Sequence, residues 1–468
     1  MIPLLRFQLF TLKCLPASKE TFNFLLVNSR NIQVDMRETT PRILYVESTT
    51  RCNLSCSMCV KQAEHSCIPE RDMPFSVYEK LLPAFPSLEG LVLNGIGEPL
   101  LHPRLADMVG FAREHMPAEA WIGFQTNGLL LNRDKAFKLV RAGLDTVCIS
   151  VDAVFGDGEN LSHGGEDVTP VARAFVALRE VGERLGVQVR SGVEFVLMRD
   201  TFRALPRSLE WAAGQGASFA IVTHMLPYGT EVERQAVFNP NTRESLEFFR
   251  QWQAFARERG HDLTEYLGGL WRFPKDDRRK ALEKFVADMH REAARQGLPL
   301  HLSNLVKWSA PEVEAEQEEL QRVLRRAEQV AADSGLELVL PPQAAALNRR
   351  CDFMEKGVMH ISPDGGVHPC YSLWHEYSSC MDGELKHITP RSFGNVLDRD
   401  VLSIWNDPAY AEFRKAVLEY DYPYCGNCNV APCSDVRGYA EGFIKDCYGI
   451  EVPCGHCEWC MGGVRCLV

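Results

Sequence analysis

The stretch RILYVESTTRCNLSCSMC, residues 42–59, is the most informative part of the sequence, because an apolar run is followed at once by three closely spaced cysteines. The run RILYVES has the length and the branched residues of a buried strand. Cys52, Cys56 and Cys59 follow it with the spacing Cys-x3-Cys-x2-Cys. Tetrahedral thiolate sites usually have four protein ligands. The stretch therefore predicts a loop of three thiolates after a strand, with one position left open.

Short apolar runs and amphipathic segments alternate from about residue 42 onwards. The candidate strands are RILYVES, GLVLNG, WIGFQTNG, TVCISVD, VRSGVEFVLM and FAIVTHML. The helical patterns between them end at stop signals such as Gly143 and Gly186. Strands that alternate with helices pair in parallel through βαβ crossovers. We predict an α/β fold, a partial (β/α)6 barrel of the TIM type, with a flat doubly wound sheet as the alternative.

The length of 468 residues predicts two or three domains. Residues 242–335 are mostly helical in pattern, and the last helix has Ser309 as a predicted N-cap, Pro311 in its first turn and Gly335 beyond its end. Turn formers, aromatics and cysteines dominate after residue 346. We predict four regions, listed as an N-terminal extension (1–41), the barrel (42–241), a helical insertion (242–345) and a small cysteine-rich iron–sulfur domain (346–468).

The stretch MHISPDGGVHPCYS, residues 359–372, opens the cysteine-rich region with a predicted hairpin. Its turn is formed by Asp364, Gly365 and Gly366. The second arm of this hairpin leads to Cys370. We expect bound metal to substitute here for a hydrophobic core.

Composition excludes several classes of protein. A net charge of −11 argues against non-specific binding to nucleic acid or to an anionic membrane surface. The apolar N-terminus is interrupted by Arg6 and Lys13, and no run of about 18 apolar residues follows. Seventeen cysteines in a chain of this length indicate metal binding rather than disulfides. We therefore expect a cytoplasmic protein without a nucleic-acid or membrane partner.

Two metal sites are compatible with the triad Cys52, Cys56 and Cys59. One is a structural zinc with Cys67 as the fourth ligand; the other is a four-iron cluster held by three thiolates. Loops that follow the strands of a βα barrel form its active face, whereas a structural zinc site is closed and does not need that position. The placement favours the cluster, whose fourth iron would be open to a ligand.

The triad after a first strand resembles the signature of the radical S-adenosylmethionine (SAM) enzymes. The resemblance implies that SAM binds the open iron of a 4Fe–4S cluster. Electron transfer from this cluster would cleave SAM to a 5′-deoxyadenosyl radical, which abstracts hydrogen from the substrate. The protein's part would be to position and shield the reactants. The resemblance also implies an electron donor such as ferredoxin or flavodoxin.

Three further motifs of that family occur in order along the chain. NGIGEPLLHP resembles the Gly-Gly-Glu turn whose backbone lines the SAM amino group. FQTNG closes the third strand, and ISVDA closes the fourth at positions that the family uses near the SAM ribose. The resemblance thus implies a SAM pocket made by Gly95, Ile96, Gly97, Glu98, Thr126, Asn127, Ser150 and Asp152. His224, after the sixth strand, is interpreted as a loop histidine rather than a catalyst.

The C-terminal cysteines follow a second pattern. Two Cys-x2-Cys pairs are compatible with a zinc ribbon, but a ribbon would leave most of the other thiols unused. The opening Cys351-x13-Gly365-x4-Cys370 resembles the SPASM extension of radical SAM proteins, which carries auxiliary iron–sulfur clusters. The resemblance implies two auxiliary 4Fe–4S clusters, with ligands drawn from Cys351, Cys370, Cys425, Cys428, Cys433, Cys447, Cys454, Cys457 and Cys466.

The remaining cysteines receive other roles. Cys380 and Cys460 are predicted not to bind a cluster. Cys14 and Cys148 are interpreted as ordinary buried thiols.

The segments FAIVTHMLPYGTEVE and DCYGIEVPCGHCEWCMGGVRC are similar to the maturases associated with tungsten-cofactor oxidoreductases. This resemblance implies that the substrate is a tungsten pterin cofactor or its host enzyme. Modification of a peptide or protein, by a thioether or carbon–carbon crosslink or by dehydrogenation, is the first alternative. A non-catalytic zinc or iron–sulfur scaffold is the second. The substrate would accordingly be a cofactor, a peptide or a protein.

Overall fold

The computed structural model describes residues 39–63, 66–151, 153–155, 159–160, 168–268, 275–381, 383–420, 422, 424 and 453–467. All of these residues belong to one compact unit, which begins at Arg37. Within these ranges, no helix combines the length and the apolar character needed to cross a membrane.

The main sheet joins strands from the barrel region and from the cysteine-rich region. Along the chain the strands of the structure are β1 Ile43–Val46, β2 Gly90–Val92, β3 Trp121–Thr126, β4 Thr146–Ser150, β5 Val154–Phe155, β6 Glu159–Asn160, β7 Arg190–Leu197, β8 Phe219–His224, β9 Asn239–Thr242, β10 Glu337–Val339, β11 Ala344–Ala345, β12 Val358–Ile361, β13 Gly366–His368, β14 Tyr377–Met381, β15 Glu384–Ile388 and β16 Gly394–Asn395. Among the described residues ten of them form one sheet in the order β10-β8-β7-β4-β3-β2-β1-β12-β13-β16.

The order of the parallel strands decides between the two predicted architectures. Strands β1, β2, β3, β4, β7 and β8 are neighbours in their chain order, and each pairs in parallel with the next. A doubly wound sheet would reverse direction at a switch point. The order instead continues one way, as in a barrel, so the prediction of a (β/α)6 barrel is confirmed.

Helices connect the strands and cover the outer face of the sheet. The α-helices are α1 Phe75–Tyr78, α2 Leu105–His115, α3 Arg133–Ala142, α4 Thr169–Leu185, α5 Leu205–Gln215, α6 Thr230–Glu233, α7 Arg243–Glu258, α8 Thr264–Gly268, α9 Asp277–Arg295, α10 Leu302–Trp308, α11 Pro311–Ser334, α12 Asp352–Glu355, α13 Val401–Trp405 and α14 Pro408–Glu419. The stop signals Gly143 and Gly186 are confirmed, because both residues end helices with a positive φ, of 105° and 67°.

Side chains alternate between the two faces of the sheet, and this alternation creates the site. On β1, Leu44 and Val46 belong to the large core beneath the helices. Tyr45 points to the opposite face and packs instead with residues of the cysteine-rich region. On β4 and β8 the same alternation turns Cys148 and Ile221 inward. The inner face of the barrel is therefore available for ligands and for other parts of the chain.

The helical region divides between two cores. Helices α7, α9 and α10 share a separate apolar core that includes Phe249, Met289 and Leu305. Helix α11 packs instead on the barrel core through Leu320 and Ala327, and it leads into β10, which pairs with β8. The predicted N-cap of α11 was wrong. Ala310 occupies that position, while the Ser309 hydroxyl donates a hydrogen bond to the Leu305 carbonyl of the preceding helix, at 2.5 Å.

The cysteine-rich region begins by extending the barrel sheet. Strand β12 pairs in parallel with β1, and β13 returns antiparallel to it. The predicted hairpin is confirmed, with Gly365 at a φ of 85° in its turn. The side-chain amide of Asn395 donates a hydrogen bond to the Asp364 carbonyl at 2.9 Å, which holds β16 against the turn. Cys370 thus follows a strand that belongs to the main sheet.

Acid should destabilise the barrel at His224, the last residue of β8. Its Nε2 lies 3.0 Å from the Pro342 carbonyl oxygen, and burial lowers the pKa of His224 to about 4. The unfolded chain binds a proton below a pH of about 6.5, whereas the folded chain does not until about pH 4, so stability is lost as the pH falls through this window. The loss at pH 4 should be about 3 kcal/mol.

His224→Gln keeps a donor for the Pro342 carbonyl but does not titrate. Melting temperatures measured from pH 7 to pH 4 should therefore fall less steeply for this variant than for the unchanged protein. Equal slopes would show that the imidazole does not contribute to acid lability.

Candidate active site

A cavity of about 280 Å³ opens where the carboxyl ends of the barrel strands meet. The described part of the chain lines it with three groups of residues. The first is the cysteine loop, including Cys52, Cys56 and Cys59. The second is the set of strand ends β2, β3, β4, β7 and β8. The third comes from the cysteine-rich region and consists of Tyr371, Trp459, Val464, Arg465 and Cys466. The predicted triad is thus brought to one cavity with most of the predicted SAM pocket.

The cysteine loop is shaped by its own backbone. The Cys59 amide donates to the Cys56 carbonyl at 3.0 Å, and the Gln62 amide donates to the Cys59 carbonyl at 2.9 Å. Lys61 donates from its Nζ to the Thr50 carbonyl at 2.9 Å, which fixes the loop against the strand end. Burial is the main cause that raises the pKa of the Cys52 and Cys59 thiols. Metal binding would therefore have to drive their deprotonation.

The donor set of this loop fits a cluster better than a single ion. Within the described residues, no three or more His, Cys, Asp or Glu side chains converge closely enough to hold one metal ion. The predicted fourth zinc ligand, Cys67, is exposed. A cluster accepts more widely spaced thiolates, because each cysteine binds a different iron. Three thiols on one wall of a cavity match that arrangement.

The turn Gly95–Glu98 approaches the cysteine loop so closely that only glycine fits. A Cβ atom on Gly97 would lie 2.3 Å from the Thr49 carbonyl oxygen and 2.5 Å from that of Arg51. The Glu98 amide donates to the same Arg51 carbonyl at 2.7 Å. Ile96, where the family turn has glycine, directs its side chain against the core of the cysteine-rich region. The turn therefore keeps its backbone at the cavity despite the replacement.

The Glu98 carboxylate is directed into the protein, with the residue 2% exposed. One oxygen accepts hydrogen bonds from the Leu100 amide at 3.0 Å and from the Thr126 hydroxyl at 2.7 Å. The other accepts from the Asn127 amide at 2.8 Å. Burial raises the pKa of Glu98, although these hydrogen bonds oppose the shift. Through these hydrogen bonds Glu98 connects the loop after β2 to the end of β3.

Thr126 and Asn127 line the cavity, but their side chains also serve the fold. The Asn127 side-chain amide donates to Asn53 in the cysteine loop at 3.0 Å. The Thr126 hydroxyl accepts from the Gly128 amide at 3.0 Å. Ser150 also lines the cavity. Asp152 lies outside the described residues, so its predicted contact with the ribose stays a prediction.

Residues 461–467, which we call the tail segment, enter the barrel from the cysteine-rich region. The His224 amide donates to the Gly463 carbonyl at 3.0 Å, and the Arg465 amide donates to the Thr223 hydroxyl at 2.9 Å. Leu467 packs on the inner face of the sheet against Cys148, Phe219 and Ile221. The Tyr45 hydroxyl donates to the Leu467 carbonyl. The tail segment therefore forms one wall of the cavity, which no local sequence signal indicated.

Five cysteines of the cysteine-rich region lie in or against one buried apolar cluster. The Cys460 thiol forms side-chain hydrogen bonds with Cys454 and Cys457, and these bonds are the main cause that raises the pKa of both partners. Cys351 and Cys370 belong to the same buried cluster. We call Cys351, Cys370, Cys454, Cys457 and Cys460 the five-thiol group. Four of them are predicted cluster ligands, whereas Cys460 was predicted not to bind a cluster.

Cys466 packs against the same apolar cluster but also faces the cavity, and its predicted role as a cluster ligand stays a prediction. Its sulfur lines the cavity and accepts a hydrogen bond from the Trp459 indole at 3.3 Å. Burial, followed by the charge of Glu194, raises the pKa of Cys466 to about 12. Cys380 donates to the Glu233 carboxylate at 3.3 Å. The predicted ligands Cys425, Cys428, Cys433 and Cys447 lie outside the described residues.

Two family models match the chain in the regions that carry these sites. The model of the radical SAM superfamily matches residues 46–211, which contain the triad and the strand ends. The model of the SPASM iron–sulfur cluster-binding domain matches residues 351–429. The chain is therefore a radical SAM enzyme that carries a SPASM domain, and its cofactors are SAM and 4Fe–4S clusters. The match to an iron–sulfur domain also favours iron over the zinc ribbon.

Individual relatives differ in how much of the chain they cover. The tungsten-containing aldehyde ferredoxin oxidoreductase cofactor-modifying protein of Pyrococcus furiosus is 28% identical, over 91% of this chain and 97% of its own. The PqqA peptide cyclase of Streptomyces rochei is also 28% identical, over 49% of this chain and 58% of its own. Streptococcus suis SuiB bound to S-adenosylmethionine aligns with a TM-score of 0.48 at 12% identity, covering 80% of this chain and 68% of SuiB.

Gly97→Ala tests the close approach of the two loops. The new methyl group would overlap the carbonyls of residues 49 and 51, so the turn must move away from the cavity. We expect the melting temperature to fall, with a loss of about 1–3 kcal/mol in stability, and SAM to bind at least tenfold more weakly. Calorimetry of unfolding and of SAM binding measures both.

The matched control for this variant is Gly214→Ala. Gly214 lies in α5, and a Cβ atom there would meet nothing within 4 Å. This variant should be more stable by about 0.5–1 kcal/mol and should bind SAM normally. Normal SAM binding by Gly97→Ala would contradict the role given to the turn.

Proposed function

We propose that this enzyme binds its catalytic 4Fe–4S cluster through Cys52, Cys56 and Cys59, and SAM in the adjoining cavity. The observation that carries the assignment is that the triad shares one cavity with the Gly95–Glu98 turn and the ends of β3 and β4. When bound, the cluster supplies the electron that cleaves SAM to a 5′-deoxyadenosyl radical. Ferredoxin or flavodoxin is the proposed source of that electron.

The chain's own residues position and enclose the reactants. The turn offers backbone groups to the SAM amino group, and Gly95 and Gly97 let it pack closely against Glu47 and the loop after β1. Ser150 and Asp152 are the proposed contacts of the ribose. Residues Tyr371 and Trp459 form an aromatic wall toward the cysteine-rich region. Such a wall would exclude water from the space in which the radical meets its substrate.

We assign an auxiliary 4Fe–4S cluster to four members of the five-thiol group. All five residues are buried or partly buried, and one apolar cluster brings together cysteines from both ends of the domain. A second auxiliary cluster is proposed on the ligands at positions 425, 428, 433 and 447, since each cluster takes up to four cysteines. The proposed boundaries of the barrel, the helical insertion and the iron–sulfur domain are residues 42, 242 and 346.

The proposed substrate is the tungsten pterin cofactor of an oxidoreductase, or that oxidoreductase itself. The supporting observation is coverage, because the similarity to the Pyrococcus furiosus cofactor-modifying protein runs through 91% of this chain, including the cysteine-rich domain. Similarity to the PqqA peptide cyclase covers 49% of the chain, which supports a peptide substrate less.

Replacing Cys52, Cys56 and Cys59 together with alanine should abolish SAM cleavage. The triple variant should lose roughly four of about twelve irons, while the auxiliary clusters survive because their thiols come from another domain. Iron and sulfide analysis and the yield of 5′-deoxyadenosine under strong reductant measure both outcomes. Zinc instead of iron in the cysteine-rich domain of the purified variant would refute the auxiliary clusters.

The same variant serves to test the substrate. A tungsten-dependent aldehyde oxidoreductase is produced together with either the unchanged chain or the triple variant. We expect its cofactor to differ in mass and its activity to require the unchanged chain. An oxidoreductase that is identical in both cases would direct attention to a peptide substrate.

Cys460→Ser tests the five-thiol group. We expect it to lose up to about four irons, or to bind them less tightly, because its hydrogen bonds to Cys454 and Cys457 support Cys460 as a proposed ligand. Cys466→Ser and the control Cys380→Ser should keep their iron. The reverse pattern, with iron lost only in Cys466→Ser, would support the sequence-based prediction that Cys466 is a cluster ligand and Cys460 is not.

A further inference from the structure

Glu47 lies directly after β1 and is completely buried, and it is not among the predicted site residues. One of its carboxylate oxygens accepts a hydrogen bond from the Ile96 amide at 2.8 Å. The other lies 2.7 Å from Nε2 of His375. A buried carboxylate is costly unless both of its oxygens are satisfied, and here one partner belongs to the barrel and the other to the SPASM domain.

The carboxylate is packed directly against the SAM-binding turn. A Cβ atom on Gly95 would lie 2.3 Å from Cγ and 2.5 Å from Oε1 of Glu47. The Tyr371 hydroxyl donates to the Gly95 carbonyl at 3.4 Å from the other side. The backbone of residues 95 and 96 is therefore held between the end of β1 and the segment 371–375.

The segment 371–375 is itself fixed beside the five-thiol group. It begins immediately after Cys370. The rings of Tyr371 and Trp374 are 4.3 Å apart, and those of Trp374 and His375 are 5.0 Å apart. Aromatic rings packed in this way leave the segment little freedom to move independently. A change in the position of Cys370 would thus be transmitted to His375.

We infer that Glu47 and His375 are positioning residues for SAM binding. They hold the Gly95–Gly97 backbone in the shape that receives the SAM amino group, and they make that shape depend on a properly assembled SPASM domain. The inference rests on the proposed function, since it specifies how the turn assigned to SAM is kept in place. Neither residue touches the reacting atoms.

A purely structural ion pair between domains is the competing explanation. Loss of such a pair would lower the melting temperature without changing the affinity of the remaining folded protein for SAM. The exposed ion pair of Arg71 and Asp364, with 3.3 Å between its charged atoms, also links the barrel region to the SPASM hairpin. Arg71→Gln is therefore the matched control, because it removes a contact between the same two regions away from the turn.

The test compares graded replacements in the reconstituted holoenzyme. Glu47→Leu removes both hydrogen bonds, and His375→Phe removes one while keeping a ring. Glu47→Gln keeps an acceptor for the Ile96 amide and can still bond to the imidazole. SAM dissociation constants, and the change that SAM causes in the electron paramagnetic resonance spectrum of the reduced cluster, are measured at equal iron content.

We expect Glu47→Leu and His375→Phe to bind SAM at least tenfold more weakly and to show a diminished spectral change. Glu47→Gln and Arg71→Gln should stay within about threefold of the unchanged enzyme. The inference would be overturned if Glu47→Leu and His375→Phe both bound SAM with normal affinity, or if both failed to fold. The pair would then have only a structural role. An unchanged enzyme that binds no SAM would instead overturn the proposed function.

Discussion

The contact between two backbone segments, Gly97 and residues 49–51, is the constraint on which the site depends. The absence of a side chain at residue 97 lets the loop after β2 pass within van der Waals distance of the loop after β1. The cysteines begin at the next residue, so their position is set by this contact and by the hydrogen bond from the Glu98 amide to Arg51. Glu98 then extends the connection to β3. Three strand ends thus form one rigid rim.

Sequence reasoning recovered the features that are encoded locally. Strands β1–β4, β7 and β8 carry short apolar runs, the helix ends are marked by glycine, and the triad is read from spacing alone. The hairpin at Asp364–Gly366 was equally accessible, because its turn residues are adjacent in the chain. The prediction failed at the N-cap of α11, where Ser309 was expected and Ala310 is found. There the serine hydroxyl bonds to the preceding helix instead.

Features that join distant segments were not accessible from the sequence. Glu47 and His375 are 328 residues apart, and neither residue type stands out in its surroundings. Cys454-x2-Cys457-x2-Cys460 offers three equivalent thiols, and spacing cannot tell which of them meet Cys351 and Cys370. Cys466 continues the same run of cysteines, yet the chain turns into the barrel before reaching it. Such distinctions arise only from tertiary packing.

Replacement of the family's glycine by Ile96 has a compensating contact. A larger side chain near a ligand-binding backbone would ordinarily obstruct it. Here the isoleucine packs against the apolar core of the SPASM domain, and its amide is held by Glu47. The Ile96 side chain therefore takes part in the apolar contact between the two domains at the turn. It also explains why the motif could depart from its usual form without losing the close approach at Gly97.

The tail segment has a consequence for how the protein reaches its native state. The hydrogen bond from Tyr45 to Leu467 spans 422 residues, so the interior of the barrel is completed by some of the last described residues to leave the ribosome. Long-range contacts of this kind slow folding, because a large loop must close before they form. Until then the inner surface around Cys148 and Ile221 is uncovered. A nascent barrel would thus be vulnerable to aggregation during synthesis, and cluster insertion would have to be coordinated with the arrival of the tail.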